Sequence, residues 1–303
     1  MDELIFLLII VTLAIVILSI KRVNIKRGKS NLIVIIYETD LEHPNLQHFK
    51  ASLKKHGYNY VILSDKKWEG FGAKIKRINR YLRQLDPNQL VLVSDARDVL
   101  AVNFKSTDFV SAISKVDIEH KVVVSTEIGC CVPTAFKPGE LRSTSGRVLH
   151  RTYDGIAANK KNNNSDSVWK KMFAQRAQKH NIEHPVSHKQ SIYLNAGIYC
   201  GKAGNIRHIY EKMNITDKED DQLLMSEVFY HFPNKFYMDY NRDFFSNSHV
   251  WDSNNNKSFQ EDTGCFYERH NDKILDAYLQ KTPYFIHTPG KHFKCYDFIL
   301  KNS

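Results

Sequence analysis

Short apolar runs alternate with segments of helical spacing in the first half of the chain. The runs are rich in Val and Ile, as expected for strands buried on both faces, and occupy residues 31–37, 59–63, 89–93 and 121–125. Residues 45–56 and 72–85 have the spacing of amphipathic helices. This alternation predicts an α/β fold with a mostly parallel sheet, in which ligands bind beyond the carboxyl ends of the strands. No internal repeat is visible, and we treat residues 31–303 as one domain.

A continuous apolar segment, Leu4–Ile20, precedes this domain and contains no charged residue. At about 1.5 Å per residue it extends roughly 25 Å, near the short end for crossing a hydrocarbon core. Acidic residues precede it and basic residues follow it, an order opposite to that of a cleaved signal peptide. We therefore predict that residues 1–30 form an uncleaved membrane anchor and a basic linker. The positive-inside rule then puts the following domain on the cytoplasmic side.

The 303 residues include 43 Lys and Arg against 33 Asp and Glu, which gives a formal net charge of +10. Such a surplus suits an anionic partner. However, the basic residues of the linker account for half of the surplus, and no nucleic-acid recognition motif is present, so we expect no nucleic-acid binding. The five cysteines include no CxxC pair, which argues against a zinc site, and they do not require an oxidising compartment.

The sequence Ser94-Asp95-Ala96-Arg97-Asp98 directly follows the third buried strand. The strand end puts Asp95 and Asp98 at the rim of the sheet, where two nearby carboxylates repel each other unless a positive charge lies between them. A hard divalent cation with oxygen ligands would supply that charge. A capped turn neutralised by Arg97 explains the segment equally well.

Three further segments contain candidate site residues, and each has a purely structural alternative. Asp220 and Asp221 precede an apolar helical pattern, so they are either carboxylates for transfer chemistry or an acidic helix start stabilised by the helix dipole. Asn195 lies in a strand-like run of small residues, which indicates close approach to a ligand or to another chain segment, or a bend in a packed strand. His287 ends an apolar strand before a Pro-Gly turn and Lys291, which suits a metal ligand with a phosphate contact or a structural histidine.

A glycine-bearing loop from Trp68 to Lys74 opens the second predicted helix. This arrangement presents backbone N–H groups and a cation to a phosphate or a base. The loop lacks the spacing of a P-loop or of a GxGxxG motif, so the sequence does not support an ATPase or a dinucleotide-binding enzyme.

Taken together and in order, five segments resemble the glycosyltransferase domain of the procollagen lysyl hydroxylase and collagen hydroxylysine glucosyltransferase family. They are IYETD, WEGFGAK, SDARDVL, LNAGIYCG with EDDQL downstream, and FIHTPGK. The resemblance covers about residues 32–298 and implies a GT-A fold, with a Rossmann-like mixed and mostly parallel sheet, a UDP-sugar donor and Mn²⁺. The metal would neutralise the charge of the departing diphosphate without proton transfer.

The resemblance also implies roles for the residues that match the family motifs. Asp95, Asp98 and His287 match the metal ligands. Asp220, Asp221 and Asn195 match the sugar and acceptor side, where one of the two aspartates would be the catalytic carboxylate. The residues that match the nucleotide-sugar side are Thr39, Trp68, Lys74, Ser94, Asp95 and Glu127, and we infer from the turn after His287 that Lys291 also lies on this side.

Two positions depart from the family pattern. Arg97 stands between the two acidic residues, where family members have an aromatic residue. Val132 stands in the place of the tryptophan in the family's Cys-Trp-Pro. Both changes are compatible with metal and UDP binding, and both bear on the choice of donor sugar and acceptor, because the missing aromatics would shape that pocket.

We therefore predict a Mn²⁺-dependent hexosyltransferase that acts on hydroxylysine of collagen-like acceptor proteins, with glucose transfer from UDP-glucose to galactosyl-hydroxylysine as the leading activity. The nearest alternative is galactose transfer from UDP-galactose to hydroxylysine. In this family glucosyl transfer retains the anomeric configuration, whereas galactosyl transfer inverts it. A membrane-anchored, inactive module that binds a sugar nucleotide or collagen is an alternative of another class.

We also expect a single-pass membrane protein that can form a homodimer. Animal relatives act in the secretory lumen, whereas the charges beside Leu4–Ile20 predict a cytoplasmic domain. A large cytoplasmic virus as the source would reconcile these two expectations.

Overall fold

The computed structural model describes residues 31–127, 192–217, 219–248, 265–277, 279–289 and 293–303, with one helix and several short strands between these ranges. The strands are β1 (Leu32–Tyr37), β2 (Asn59–Leu63), β3 (Leu90–Ser94), β4 (Val99–Ala101), β5 (Val122–Glu127), β6 (Phe136–Lys137), β7 (Glu140–Arg142), β8 (Val148–His150), β9 (Tyr193–Lys202), β10 (Phe236–Met238), β11 (Phe245–Asn247), β12 (Trp251–Asp252), β13 (Lys257–Ser258), β14 (Tyr267–His270), β15 (Lys273–Asp276) and β16 (Phe285–His287). The helices are α1 (Pro44–Lys55), α2 (Phe71–Leu82), α3 (Ser106–Ile113), α4 (Val168–Gln178), α5 (Ala203–Met213), α6 (Asp221–His231) and α7 (Phe293–Asn302), with a 3₁₀ turn at Pro233–Lys235.

A six-stranded sheet of order β10-β5-β9-β3-β1-β2 forms the centre of the fold. β1 pairs in parallel with β2 and β3, and β5 pairs in parallel with β10. β9 is antiparallel to both of its neighbours, β3 and β5. The predicted mixed, mostly parallel sheet is therefore confirmed, and the four strands predicted in the first half are β1, β2, β3 and β5.

The reversed direction of β9 decides which side chains reach the edge where ligands bind in such sheets. β1, β3 and β5 all end at this edge, whereas β9 begins there. Tyr193 at the start of β9 is opposite Glu127 at the end of β5, and Ile198 is opposite Ser94 at the end of β3. Asn195 therefore lies between the ends of β3 and β5.

Helices cover both faces of the sheet, which explains why β1, and β3 and β5 before their polar carboxyl ends, are continuously apolar. In β1 the side chains alternate, with Ile35 in the core of one face and Val34 and Ile36 in the core of the other. α2, α5 and α6 pack on the first face, and α1 and α3 pack on the second. Burial of each aliphatic side chain of this size stabilises the fold by about 1.5–3 kcal/mol relative to an exposed position.

The ends of the two predicted helices differ slightly from the expectation. α1 begins at Pro44, where the fixed φ of proline suits the first helical position, and His43 accepts the N–H of Asn45 through Nδ1. α2 ends at Leu82, because the backbone after it forms hydrogen bonds of three-residue spacing, as in a 3₁₀ turn. One of these hydrogen bonds runs from the N–H of Leu85 to the carbonyl of Leu82.

A second sheet of order β11-β16-β4 adds its Phe245 and Phe285 side chains to the core of the second face. β16 runs antiparallel to β4, with His287 opposite Val99. On the other side of this sheet, Ile286 packs against Tyr296 of α7 in a separate apolar cluster. The functional segments that contain Asp98 and His287 are thus held between two cores.

Two of the cysteines are paired, which the sequence did not predict. Cys265, just before β14, forms a disulfide with Cys295 of α7. Cys200 in β9 is a buried free thiol, which is typical of a cysteine packed in an apolar core.

Some predictions concern parts of the chain outside the described residues, namely the anchor Leu4–Ile20, the basic linker, Val132 and Lys291. Among the described residues, none of the helices has the length and hydropathy of a membrane-spanning segment.

Candidate active site

Asp95, Asp98 and His287 each place one ligand atom within 4.8 Å of the others. Asp95 follows β3, and its N–H donates to the carbonyl of Gly197 in β9 at 2.7 Å. Asp98 directly precedes β4, and its carbonyl accepts the N–H of Thr288 at 2.7 Å. The pairing of β4 with β16 therefore brings His287 to the two acidic residues, although His287 is 189 positions after Asp98 in the sequence.

The ring of His287 is oriented by the side chain of Asn195. His287 is 2% exposed, and its Nδ1 lies 3.0 Å from Oδ1 of Asn195. The same Oδ1 accepts the N–H of Gly197 and the hydroxyl of Ser125, so it acts as an acceptor and Nδ1 donates. Nε2 is left with no hydrogen-bond partner among the described residues and lies 3.5 Å from Oδ2 of Asp98.

Gly197 permits this arrangement because it has no side chain. A Cβ atom at this position would lie 2.2 Å from Cε1 of His287, far closer than van der Waals contact. The small residues of β9 are therefore explained, in part, by close approach to another chain segment. Of the alternatives left open by the sequence, this one is supported at Gly197.

The three residues fit a divalent cation. Two carboxylates and one imidazole nitrogen form a ligand set that suits a first-row divalent metal, and a histidine ligand typically donates its other ring nitrogen to an oxygen, as Nδ1 does here. Burial lowers the pKa of His287, but the carboxylates of Asp98, Asp95 and Glu127 raise it above its ordinary value. The cluster thus has an excess of negative charge that attracts a cation.

Lys74 joins the acidic motif to the start of α6. Its Nζ lies 3.1 Å from Oδ1 of Asp95 and 2.6 Å from Oδ2 of Asp221, and its side chain is 7% exposed. Burial lowers the pKa of Lys74, but the carboxylates of Asp221 and Asp95 raise it above its ordinary value, so the ammonium stays charged. The sequence placed Lys74 on the nucleotide side, and the structure puts its ammonium group between two carboxylates.

Asp220 is the N-cap of α6 and accepts the N–H of Leu223 at 2.9 Å. Burial and the charge of Asp221 raise the pKa of Asp220 to about 6. Part of the structural alternative is therefore correct, because Asp220 caps a helix. Its half-buried carboxyl group nevertheless has a perturbed pKa, which is frequent at functional sites.

Glu127 completes a polar group on the same side. Its two carboxylate oxygens accept from Gln222 at 2.6 Å and from Asn195 at 3.1 Å. Burial raises the pKa of Glu127. Asn195 therefore links Glu127 to His287, and Gln222 links Glu127 to the first turn of α6, whereas Asp220 and Asp221 bond to Leu223 and Lys74 instead.

A cavity of about 390 Å³ opens beside the acidic motif. Its walls include the predicted residues Thr39, Trp68, Lys74, Asp95 and Asp98. The side chain of Trp68 lines the cavity and is partly exposed to solvent. Ser94 is buried and does not line the cavity, and its hydroxyl donates to the carbonyl of Asp95 at 2.9 Å.

Several side chains in this region were not predicted from the sequence. Arg97 does not neutralise the acidic pair as the turn alternative supposed, since its guanidinium bonds to Glu38 instead. Gln222 and Glu38 belong to the quoted segments EDDQL and IYETD, so the family motif was a signal for both. Ser125 had no such signal, because only the pairing of β5 with β9 brings its hydroxyl to Asn195.

A sequence model described as the PLOD GT domain, the glycosyltransferase domain of the lysyl hydroxylases, matches residues 170–296 of this chain. This match confirms the family resemblance over the part of the chain that contains LNAGIYCG, EDDQL and FIHTPGK, whereas IYETD, WEGFGAK and SDARDVL precede it. It supports a glycosyltransferase, and this enzyme class implies a sugar donor and an acceptor. No curated protein matches the chain.

Solved structures similar to the chain include a glycosyltransferase involved in the glycosylation of the major capsid of PBCV-1. The TM-score is 0.43 at 11% sequence identity, over 88% of this chain and 98% of that chain. A Bacillus anthracis protein named as a glucose-1-phosphate thymidylyltransferase is similar with a TM-score of 0.31 at 10% identity, over 68% of this chain and 66% of that chain.

Proposed function

We propose that this chain, in which residues 170–296 match the glycosyltransferase domain of the lysyl hydroxylases, is a Mn²⁺-dependent UDP-hexosyltransferase of GT-A fold. The acceptor is hydroxylysine on a collagen-like protein, with glucose transfer to galactosyl-hydroxylysine as the leading activity. The observation that supports this proposal best is the cluster of Asp95, Asp98 and His287 in and beside a cavity large enough for a small ligand.

In this proposal the acidic motif and the histidine at the end of β16 bind the metal. Asp95, Asp98 and Nε2 of His287 would hold Mn²⁺, which when bound neutralises the negative charge that develops on the leaving diphosphate. Asn195 keeps the imidazole of His287 turned towards the carboxylates. The ammonium group of Lys74 holds the carboxylate of Asp95 in one orientation. This carboxylate can therefore bind a cation with little loss of side-chain freedom.

The acceptor would approach from the side of α6. The carboxyl group of Asp220 is half-buried, and its raised pKa suits a group that exchanges a proton near neutral pH. Asp221 faces Lys74 instead and is buried in an ion pair. We therefore favour Asp220 over Asp221 as the carboxylate that contacts the acceptor hydroxyl.

The first experiment measures UDP release by the full chain in detergent, from UDP-glucose and from UDP-galactose, with and without Mn²⁺ and with a deglucosylated collagen peptide. We expect metal-dependent release from one donor, stimulated by the peptide. Asp98→Asn removes one metal-binding charge at nearly constant volume, and we expect it to lose most of the Mn²⁺-dependent rate and to keep its unfolding midpoint.

Each other outcome has a defined meaning. Release from UDP-galactose with inverted product supports the galactosyl alternative. UDP and Mn²⁺ binding without release from either donor supports the inactive binding module. A fully active, Mn²⁺-dependent Asp98→Asn variant would refute the metal assignment.

A further inference from the structure

Glu38 and Arg97 form an ion pair in the wall of the cavity described above. Nε of Arg97 donates to Oε2 of Glu38 and Nη2 donates to Oε1, both at 2.7 Å. Two parallel bonds of this kind fix the plane of the guanidinium as well as its position. The Glu38 side chain is buried, while the Arg97 side chain is 48% exposed.

Glu38 is itself held firmly. Its Oε1 also accepts the N–H groups of Thr39 at 2.8 Å and Asp40 at 2.9 Å. Burial raises the pKa of Glu38, but the bonds from Arg97 and from these two backbone groups lower it below its ordinary value. The carboxylate therefore remains charged, and the end of β1 is a rigid support for Arg97.

The backbone of Arg97 is fixed from the other side. Its carbonyl accepts from Nδ2 of Asn45 in α1 at 2.7 Å. Both the main chain and the side chain of Arg97 are thus anchored to residues 38–45. The guanidinium consequently presents one face in a fixed direction, which is unusual for a long, half-exposed side chain with several rotatable bonds.

The cavity has flat groups in its walls. Arg97 lines it together with the aromatic rings of Trp68, Phe71 and Tyr37. Trp68 lies 5.9 Å from Tyr37 and 5.2 Å from Phe71 between ring centroids, and its side chain is 49% exposed. A cavity lined by aromatic rings and a guanidinium suits a flat ligand group, because both kinds of surface stack on nucleobases.

The ion pair with Glu38 argues against a role of Arg97 as a phosphate ligand. Glu38 neutralises the guanidinium, so the pair has no net charge to offer an anion. The cation-binding cluster of Asp95, Asp98 and His287 is the part of the site that is suited to balance a diphosphate through a metal. The pair is better suited to the uncharged end of a nucleotide.

We propose that Arg97, held by Glu38, is a binding residue for the nucleobase of the donor, and that its guanidinium face packs against the base. This inference rests on the proposed function, since it needs a nucleotide donor in the cavity. Glu38 is then a positioning residue, which acts on the base only through Arg97.

The test compares binding of UDP and of inorganic pyrophosphate, each with Mn²⁺, to the full chain, by titration calorimetry. Arg97→Lys keeps the positive charge and loses the planar, bidentate group. We expect UDP to bind roughly tenfold more weakly to this variant, as typical stacking losses imply, while pyrophosphate affinity stays within about twofold of the wild type. Glu38→Gln keeps Oε1 as an acceptor for Thr39 and Asp40, and we expect a smaller loss, again for UDP only.

Arg269→Lys is the matched control, because Arg269 forms an exposed ion pair with Asp272 on a surface hairpin away from the cavity. It should bind both ligands like the wild type. In turnover, Arg97→Lys should raise KM for the sugar nucleotide and leave kcat nearly unchanged, the pattern of lost ground-state binding. Equal unfolding midpoints for all variants would exclude a merely structural effect.

Three results would overturn the inference, and they separate it from the proposed function. UDP binding by Arg97→Lys as tight as by the wild type means that the base does not contact Arg97. An equal loss of UDP and pyrophosphate affinity means that Arg97 contacts phosphate. Failure of the wild type itself to bind UDP in the presence of Mn²⁺ refutes the proposed function together with the inference.

Discussion

Asp220 has a dual position at the start of α6, where it caps the helix and borders the polar network of Glu127 and Asn195. The N–H of Leu223 stabilises its carboxylate, but burial and the charge of Asp221 oppose ionisation more strongly, and the pKa rises to about 6. The protonated form is thus populated at a pH at which an exposed aspartate is fully ionised. The nearby groups that govern this equilibrium are Asp221 and Lys74.

If Asp220 acts as a carboxylate in transfer, the rate at saturating Mn²⁺ should fall as pH drops below about 6, because protonation then removes the charge. Asp220→Asn can still accept the N–H of Leu223 and has no charge to lose. We expect this variant to be slow and to lack the acid limb, as measured by UDP release between pH 5 and 8. A persistent acid limb in the variant would assign it to another group, such as Glu127.

The same shift has a consequence for stability. Because the folded pKa of Asp220 lies above that of an exposed aspartate, the folded state binds the proton more tightly, and its stability falls as pH rises between about 4 and 6. Asp220→Asn removes this dependence. The variant should therefore be at least as stable as the wild type above pH 6, which separates a catalytic loss from unfolding.

At the scale of elements, α2 is the helix that connects the cavity to α6. A Cβ at Gly72 would lie 1.7 Å from the carbonyl oxygen of Thr216, so only glycine allows the two segments to come so close. The N–H of Ala73 donates to the carbonyl of Asp217 at 3.3 Å. Lys74 is the next residue, and its ammonium lies between the carboxylates of Asp95 and Asp221.

Lys74→Met should destabilise the protein by about 3–5 kcal/mol, because removal of one partner leaves a buried charge uncompensated. The comparison is Lys76→Met, which breaks an exposed ion pair with Asp217 on the same helix and should cost about 0–1 kcal/mol. Urea unfolding followed by circular dichroism measures both. The double variant Lys74→Met/Asp221→Asn should recover part of the loss, and equal losses for the Lys74 and Lys76 variants would contradict the buried ion pair.

The elements also show what the sequence could predict. β1, β2, β3 and β5 are local apolar runs, and each was predicted with its ends within two residues. The strand end of β3 likewise predicted that Asp95 lies at the rim. The antiparallel direction of β9 and the pairing of β16 with β4 join residues far apart in sequence, and no local pattern encodes such pairing.

At the scale of the whole molecule, this difference explains the outcome for the site. The family motif predicted that Asp98 and His287 belong to one metal site. The pairing of β4 with β16 is the structural reason that these two residues lie close together. The contacts of Lys74 with Asp221 and of Arg97 with Glu38 join separate helices, loops and strands, so spacing alone could not predict them. The disulfide was missed for the same reason, since Cys265 and Cys295 meet only after β14 and α7 have packed together.

The disulfide stabilises the part of the fold that supports the candidate metal ligands. It joins α7 to the segment before β14, and both pack on the outer side of β4 and β16 through Leu100 and Ile286. The two cysteines are 30 residues apart, and closing a loop of this length in the unfolded chain is worth about 3–4 kcal/mol in the chain-entropy account. Such a bond persists in an oxidising compartment and is rare in the cytosol.

We expect the double variant Cys265→Ser/Cys295→Ser to unfold at a lower urea concentration than the wild type, with a loss of about 3–4 kcal/mol. A reductant should destabilise the wild type by a similar amount and leave the double variant unchanged, which isolates this bond from the other cysteines of the chain. Hydrogen exchange should show the largest gain in α7, because its tether to Cys265 is lost. A wild type that a reductant does not destabilise would show that the two thiols are not bonded in the purified protein.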